Sequence, residues 1–149
     1  MSLAFGKRME DLHIRVNNRV TKRLKQLIRR TAKGVIDATP YETGRLKNNW
    51  YSSMNGFPRS TNKSGDVSGK ASLGRVDKAL AKFDLKKNQT FYMANNLPYA
   101  RVVEFGLYPN PPKKGRGKTV NGFSKKAPAG MARINIRKAV AEIRAGVKK

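Results

Sequence analysis

Apolar residues recur at every third or fourth position in the first part of the chain. This spacing places them on one side of an α-helix, so it predicts a long amphipathic helix over about residues 7–37 with that side packed. Glu10 and Asp11 fall in its first turn, where acids complement the positive end of the helix dipole. The apolar set is Met9, Leu12, Val16, Val20, Leu24, Leu27, Ile28, Ala32 and Val35.

The next segment, Thr39-Pro40-Tyr41-Glu42, has the composition of a helix start. Thr39 suits the cap, Pro40 the first helical position, and Glu42 completes a capping box. These residues predict a single helical turn that ends at Gly44. A strand with Trp50 on its buried face is then predicted from an alternating series. That series is Leu46, Asn48, Trp50, Ser52 and Met54.

The middle of the chain alternates irregular and regular segments. Residues 55–73 are rich in Gly, Ser, Asn and Lys without periodicity, which predicts a mobile loop. A weak helical pattern follows at Leu73, Val76, Leu80 and Phe83. Residues 90–94 have the alternation of a second strand, and Asn95-Asn96 would form its turn.

The last third contains two predicted helices separated by a basic arm. Residues 98–105 fit a short helix with Pro98 at its start and Gly106 just beyond its end, and with Tyr99, Val103 and Phe105 in the core. Residues 107–128 combine prolines, glycines and basic residues without an acid, which predicts a solvated arm. A closing helix is predicted from Met131, Ile134, Ile136, Val140 and Ile143.

The order of these elements predicts an α+β fold. At 149 residues the chain suits one domain, 1–149. We expect the long N-terminal amphipathic helix and the C-terminal helix to pack on a small, mainly antiparallel sheet, with long basic loops outside it.

Charge suggests an anionic neighbour. Thirty-three Lys and Arg against nine Asp and Glu give a net charge of +24. Such a field attracts nucleic acid without reading its sequence, and an acidic protein surface would neutralise it equally well. Candidate contacts to DNA or to an acidic partner are Arg15, Arg19, Lys22, Arg29, Lys113, Lys114, Arg116, Lys118, Lys125 and Lys126.

Candidate chemistry is scarce. The chain has one histidine, His13, no cysteine, and carboxylates that no motif brings together, so we expect no catalytic, metal or cofactor site. The glycine-rich segment 115–119 lacks the spacing of a phosphate-binding loop. Apolar runs are too short to span a membrane, and the N-terminus does not resemble a signal peptide, so we expect an origin in the cytoplasm.

Two segments together resemble the tail-completion, or neck, proteins of siphophages. That family has a Thr-Pro, acid, Thr-Gly-Leu turn after an N-terminal helix, followed later by Asn, Pro-Tyr-Ala and Glu-Phe-Gly. The matching residues, to which we assign structural roles, are Thr39, Pro40, Glu42, Thr43, Gly44, Leu46, Asn95, Pro98, Tyr99, Ala100, Glu104, Phe105 and Gly106. The chain departs from the family in Glu42, where Asp is common, in Lys47-Asn48-Asn49, and in the segment before the last helix.

The resemblance implies a structural virion protein rather than an enzyme. Such a protein would act in tail completion or head–tail joining at the neck, and its partners would be other neck, tail and connector proteins. It implies a homo-oligomeric ring around the DNA passage, made in the host cytoplasm and located in the virion, with nonspecific contact to genomic DNA. Glu104 would pair with an arginine within or between subunits. The alternative is a basic protein that binds nucleic acid without sequence specificity.

Overall fold

The computed structural model describes residues 2–115, 117–127 and 130–147 and has the predicted α+β architecture. A long helix, α1 (Ser2–Ala38), leads into a short one, α2 (Arg45–Asn48), and a strand, β1 (Trp50–Met54). Helix α3 (Lys70–Ala81), a 3-10 turn (Leu85–Lys87), strand β2 (Phe91–Asn95) and helix α4 (Ala100–Glu104) follow. A small hairpin of β3 (Thr119–Val120) and β4 (Phe123–Ser124) precedes the last helix, α5 (Ala132–Val147).

The main sheet consists of β1 and β2, paired antiparallel from Trp50 opposite Asn95 to Met54 opposite Phe91. Helix α3 packs on β1, α1 packs on α3, and α5 packs mainly along α1. Apolar side chains from these elements meet in one buried cluster that includes Ile36, Trp50 and Val76. Only the C-terminal part of α1 contributes to this core, beginning with half-buried Ile28 and buried Ala32.

The segment after α1 does not form the predicted helical turn. Residues 39–44 are irregular, and the helix begins instead at Arg45, directly after Gly44. Gly44 therefore precedes a helix rather than ending one, and its φ of 77° is the left-handed conformation that glycine adopts without steric cost. The strand also begins later than predicted, at Trp50, because Leu46 and Asn48 belong to α2.

The irregular segment between β1 and α3 is shorter than the predicted loop, because α3 already begins at Lys70. Asn49, the C-cap residue of α2, anchors this segment. Its side chain donates to the Asn62 carbonyl at 3.1 Å and accepts from the Asn62 N–H at 2.8 Å. Asp66 then accepts hydrogen bonds from the N–H groups of Gly69 and Ala71, which satisfies the start of α3. The Ser68 hydroxyl and these N–H groups lower the pKa of Asp66.

The predicted basic arm is folded back on itself. Within it, β3 and β4 pair antiparallel around Asn121 and Gly122, both at positive φ, as a two-residue hairpin turn requires. The Ser124 N–H donates to the Tyr108 carbonyl at 2.7 Å, which ties the hairpin to the segment after α4. The arm is therefore a short hairpin with basic loops rather than a wholly unstructured chain.

Candidate functional site

The first motif segment is anchored by Thr39, which is 1% exposed. Its hydroxyl donates to the Val35 carbonyl at 2.7 Å and accepts from the indole N–H of Trp50 at 2.8 Å. Thr39 therefore joins the end of α1 to the start of β1 and does not cap a helix N-terminus. Glu42 and Thr43 are exposed, and Pro40 is half-buried, so the turn at residues 40–43 is held from its two ends.

Asn95 joins the two motif segments. Its side-chain amide N–H donates to the Leu46 carbonyl at 2.8 Å, and its side-chain amide oxygen accepts from the Leu97 N–H at 3.3 Å. Leu46, Leu97 and Ala100 are all buried in the same cluster. The segments that carry the resemblance, distant in sequence, therefore meet around one core.

Glu104 links the second motif segment to the last helix. Its carboxylate accepts from the N–H groups of Met131, Ala132 and Arg133 at 2.8, 2.9 and 3.0 Å, and from the Arg133 guanidinium at 3.1 Å. Burial raises the pKa of Glu104, but these donors outweigh it and the pKa is lowered. The expected arginine pair thus forms within the chain, which leaves the alternative of an intersubunit pair without support.

The remaining residues of the second segment bound α4. Pro98 is exposed, Tyr99 is half-buried, and burial raises the pKa of the Tyr99 hydroxyl. Gly106 has a φ of 70°, as expected just beyond a helix end. The prediction that Phe105 lies in the core is wrong: it is 45% exposed, and the Arg133 guanidinium lies 4.5 Å from its ring centroid.

A polar cluster around Arg75 was not predicted. Its guanidinium donates to the carbonyls of Asn48 and Trp50 and to the Ser72 hydroxyl, and it lies 4.3 Å from the ring centroid of Tyr51. Burial lowers the pKa of Arg75. The only sequence pattern that pointed here was the run of polar residues after Leu46. All of these partners belong to the fold, so the cluster is structural.

The N-terminal half of α1 is not packed, contrary to the expectation from its periodicity. From Ala4 to Val20 every residue except Asn17 is exposed. Five apolar residues on one side of this half form a row, named the α1 stripe, and all five side chains are exposed. Its members and their exposed fractions are Phe5 67%, Met9 50%, Leu12 53%, Val16 50% and Val20 39%.

The closing helix exists as predicted, but its apolar row is also largely exposed. Met131, just before α5, is buried, and Ala139 is half-buried. The other members of the predicted row are exposed: Ile134, Ile136, Val140 and Ile143. Helix α5 packs on α1 through a different side, which includes Asn135 and Glu142.

The predicted basic contacts fall into three groups. Arg15, Arg19 and Lys22 are exposed on the free half of α1. Arg29 is exposed but engaged, because its guanidinium donates to both carboxylate oxygens of Asp77 at 2.6 and 3.1 Å. The hairpin region contributes exposed Lys113, Lys114, Lys118, Lys125 and Lys126. Arg116 lies outside the described residues.

The described residues contain few groups with catalytic or metal-binding chemistry. His13 is exposed on α1. Among residues 2–115, 117–127 and 130–147, no three or more His, Cys, Asp or Glu side chains converge on a possible metal position. None of the helices in that part of the chain combines the length and apolar character needed to cross a membrane.

Comparisons with known proteins gave no relative: no family model, curated protein or solved structure matches this chain.

Proposed function

We propose that this protein is a structural subunit of a tailed-phage neck, acting in tail completion or head–tail joining as part of a ring around the DNA passage. The observation that carries the proposal is the unpacked half of α1, because a long exposed amphipathic helix has no purpose in the folding of the isolated domain. Exposed apolar rows of this kind mark surfaces that another protein covers. A protein that joins two preassembled structures needs such a surface.

The motif residues support the same proposal in a different way. Thr39, Asn95 and Glu104 each connect two elements, so the residues that resemble the neck family are those on which this fold depends. Their arrangement holds α1, the sheet and α5 in fixed relation. The subunit would thereby present α1 at a defined angle to its neighbours.

The charge of the chain also fits a position beside packaged DNA. Exposed lysines of the hairpin region would face the duplex and contact phosphates without reading bases. The net charge of +24 would likewise favour neighbours with acidic surfaces.

Removal of the chain from the phage that encodes it tests this function. We expect filled heads and finished tails to accumulate without joining, and wild-type protein supplied in the host to restore infectious particles. Leu12→Asp, in the α1 stripe, should fail to restore them. Ile14, 42% exposed against 53% for Leu12, lies on the opposite side of α1. Ile14→Asp is therefore the matched control and should restore them. Joined, infectious particles in the absence of the chain would contradict the proposal.

A second candidate is a basic protein that binds nucleic acid without sequence specificity. The exposed lysines around the β3–β4 hairpin favour it. Replacing Lys113, Lys114 and Lys118 by Gln should then weaken binding of a short duplex to the isolated protein and reduce the salt dependence by about 0.9 in slope per lost phosphate contact. Tight duplex binding by a protein whose removal leaves particle assembly intact would favour this candidate over the neck.

A further inference from the structure

The α1 stripe belongs to a face of α1 on which α5 already packs, nearer the C-terminal end of α1. Successive residues of an α-helix are about 100° apart, so the five members of the stripe fall within an arc of about 80°. The same arc continues through Leu27, Arg30 and Gly34, where α5 packs. One half of this face is therefore occupied, and the other half is empty.

Helix α5 shows how this face accepts a helix. Gly34 permits close approach, since a Cβ added there would lie 2.3 Å from the Asn135 Oδ1 atom. Four residues earlier in α1, the Arg30 guanidinium donates to the Glu142 carboxylate. Because Glu142 follows Asn135 in sequence, α5 runs antiparallel to α1. The pairing combines the close approach of the Asn135 side chain to Gly34 with an arginine–carboxylate pair at its edge.

The part of this face that α5 covers does not extend toward the N-terminus as far as the α1 stripe. Helix α5 extends from Asn135 to Val147, which is about 18 Å, or about 12 residues of α1 counted back from Gly34. It therefore reaches no farther than about residue 22 of α1. The exposed fractions of Val16 and Val20, 50% and 39%, agree with this limit.

The two edges of the empty half differ in charge. On one edge lies a row of four exposed basic residues, named the basic row: Arg8, Arg15, Arg19 and Lys22. It continues the edge on which Arg30 pairs with Glu142. The other edge carries Glu10, His13 and Asn17 and is close to neutral.

The geometry points to a binding site for an amphipathic helix of another protein, with an apolar row that fits the α1 stripe and an acidic edge that pairs with the basic row. The stripe is about 23 Å long, which corresponds to about four helical turns of the partner. The basic row would meet the partner's carboxylates as Arg30 meets Glu142. This inference stands whether or not the partner is a neck protein.

A second copy of this chain fits the site less well. In an antiparallel pair of α1 helices like edges face each other, so the two basic rows would lie opposite and repel. In a parallel pair the acid Glu10 could meet Arg15, while each copy brings a net charge of +24. A lipid surface is also a poor occupant, because an arc of about 80° is the narrow seam of a helix pair rather than a broad interfacial face.

Binding of a synthetic helical peptide to the full chain tests the inference. The probe is about 18 residues long, with leucines along one seam and glutamates along one edge, labelled for fluorescence anisotropy. One matched peptide carries Gln in place of Glu, and another carries Ser in place of Leu. We expect the first peptide to bind, and both substitutions to weaken binding at least about tenfold.

Variants of the protein then locate the site. Leu12→Ser with Val16→Ser should weaken peptide binding at least about tenfold, and Arg15→Gln with Arg19→Gln should remove most of its salt dependence. Ile14→Ser is the apolar control outside the stripe, and Lys113→Gln with Lys114→Gln is the charge control outside the basic row. Both should bind as wild type does. Circular dichroism of each variant checks that the helix content is kept.

Three results would overturn the inference. One is equal loss of binding in the control variants, which would mean nonspecific attraction to a basic protein. Another is stripe-dependent growth of the protein's mass with concentration in light scattering, which would identify a second copy as the occupant. The third is binding to vesicles of mixed phosphatidylglycerol and phosphatidylcholine that depends on Leu12 and Val16 while the peptide does not bind.

Discussion

Replacing Glu104 by Ala removes the acceptor that caps the last helix. The Glu104 side chain is 14% exposed and accepts from three consecutive backbone N–H groups at the start of α5 and from Arg133. Without it, these N–H groups lose their partner while the helix must still begin at the same place. The link between α4 and α5 is lost together with the cap.

The expected cost follows from these contacts. A side-chain cap contributes about 0.5–2 kcal/mol, and an ionised acceptor makes its hydrogen bonds roughly twice as strong as a neutral one. We therefore expect Glu104→Ala to lower the free energy of unfolding by about 2–3 kcal/mol. Glu104→Gln keeps one oxygen acceptor but loses the charge, and we expect a loss of about 1 kcal/mol.

The pH dependence of unfolding separates the contribution of the Glu104 charge from that of its hydrogen bonds. Because the folded protein lowers the pKa of Glu104, its ionised form stabilises the fold. This stabilisation is fully present above the ordinary pKa near 4.5 and is lost as pH falls through the lowered value. Urea unfolding of wild type and Glu104→Gln should therefore differ at pH 7 and converge in acid.

Glu142→Gln is the matched control, since Glu142 is an acid of α5 paired with Arg30 at the surface. Its side chain is 55% exposed, so we expect a change within about 0.5 kcal/mol. If Glu104→Ala costs no more than the Glu142 control, or if Glu104→Gln shows the same deficit at every pH, the assignment of Glu104 as the cap of α5 is wrong.

Substitutions at four further positions test the rest of the fold by urea unfolding. Thr39→Val leaves the buried Trp50 N–H without an acceptor and should cost about 1–3 kcal/mol, whereas Thr39→Ser should cost less than about 1 kcal/mol; equal losses would refute the role of the hydroxyl. Gly44→Ala should cost at least about 2 kcal/mol, because its φ is 77° and the added Cβ would lie 2.5 Å from the Asp66 backbone carbon. Gly74→Ala, a helix position with open space, should stabilise by about 0.5–1 kcal/mol, and a loss there would contradict the packing of α3. Arg75→Gln should cost about 2–3 kcal/mol through the carbonyls it leaves unpaired, and a change below about 0.5 kcal/mol would show that the Arg75 cluster does not hold α2 and β1 together.

Periodicity predicted the regular elements well where the apolar pattern is unambiguous. Helices α1, α3, α4 and α5 and strands β1 and β2 were all expected at about their observed positions. It failed at α2, where the alternating pattern predicted a strand. A strand would place the adjacent Asn48 and Asn49 on opposite faces, whereas both are buried. Their side chains satisfy backbone groups of the following loop, which no local pattern encodes.

The β3–β4 hairpin was missed although a local pattern was present. Asn121-Gly122 between Val120 and Phe123 is the residue pair that a two-residue hairpin turn favours. The strong basic character of the surrounding segment obscured it. A basic composition is compatible with both a free arm and a short hairpin, so it does not distinguish them. Positive φ at two successive positions favours particular residues, and Asn121-Gly122 is such a pair.

The surface formed by the α1 stripe and the basic row could be predicted only in part. The spacing of apolar residues in α1 identified the apolar side of the helix, but it does not show what covers that side. The occupied half of the face depends on Gly34, whose closeness to Asn135 arises from contacts distant in sequence. The distinction between Arg29, engaged by Asp77, and Arg15 and Arg19, which are exposed on α1, likewise required the three-dimensional arrangement.

Cryo-electron microscopy of the tailed-phage particles to which the proposal assigns the chain tests the neck proposal most directly. The account expects a ring of identical subunits at the head–tail junction, each with a long helix whose N-terminal half contacts a neighbouring protein. Its hairpins would face the DNA passage. Absence of the chain from purified particles, or its presence with the N-terminal half of α1 exposed to solvent, would contradict the account.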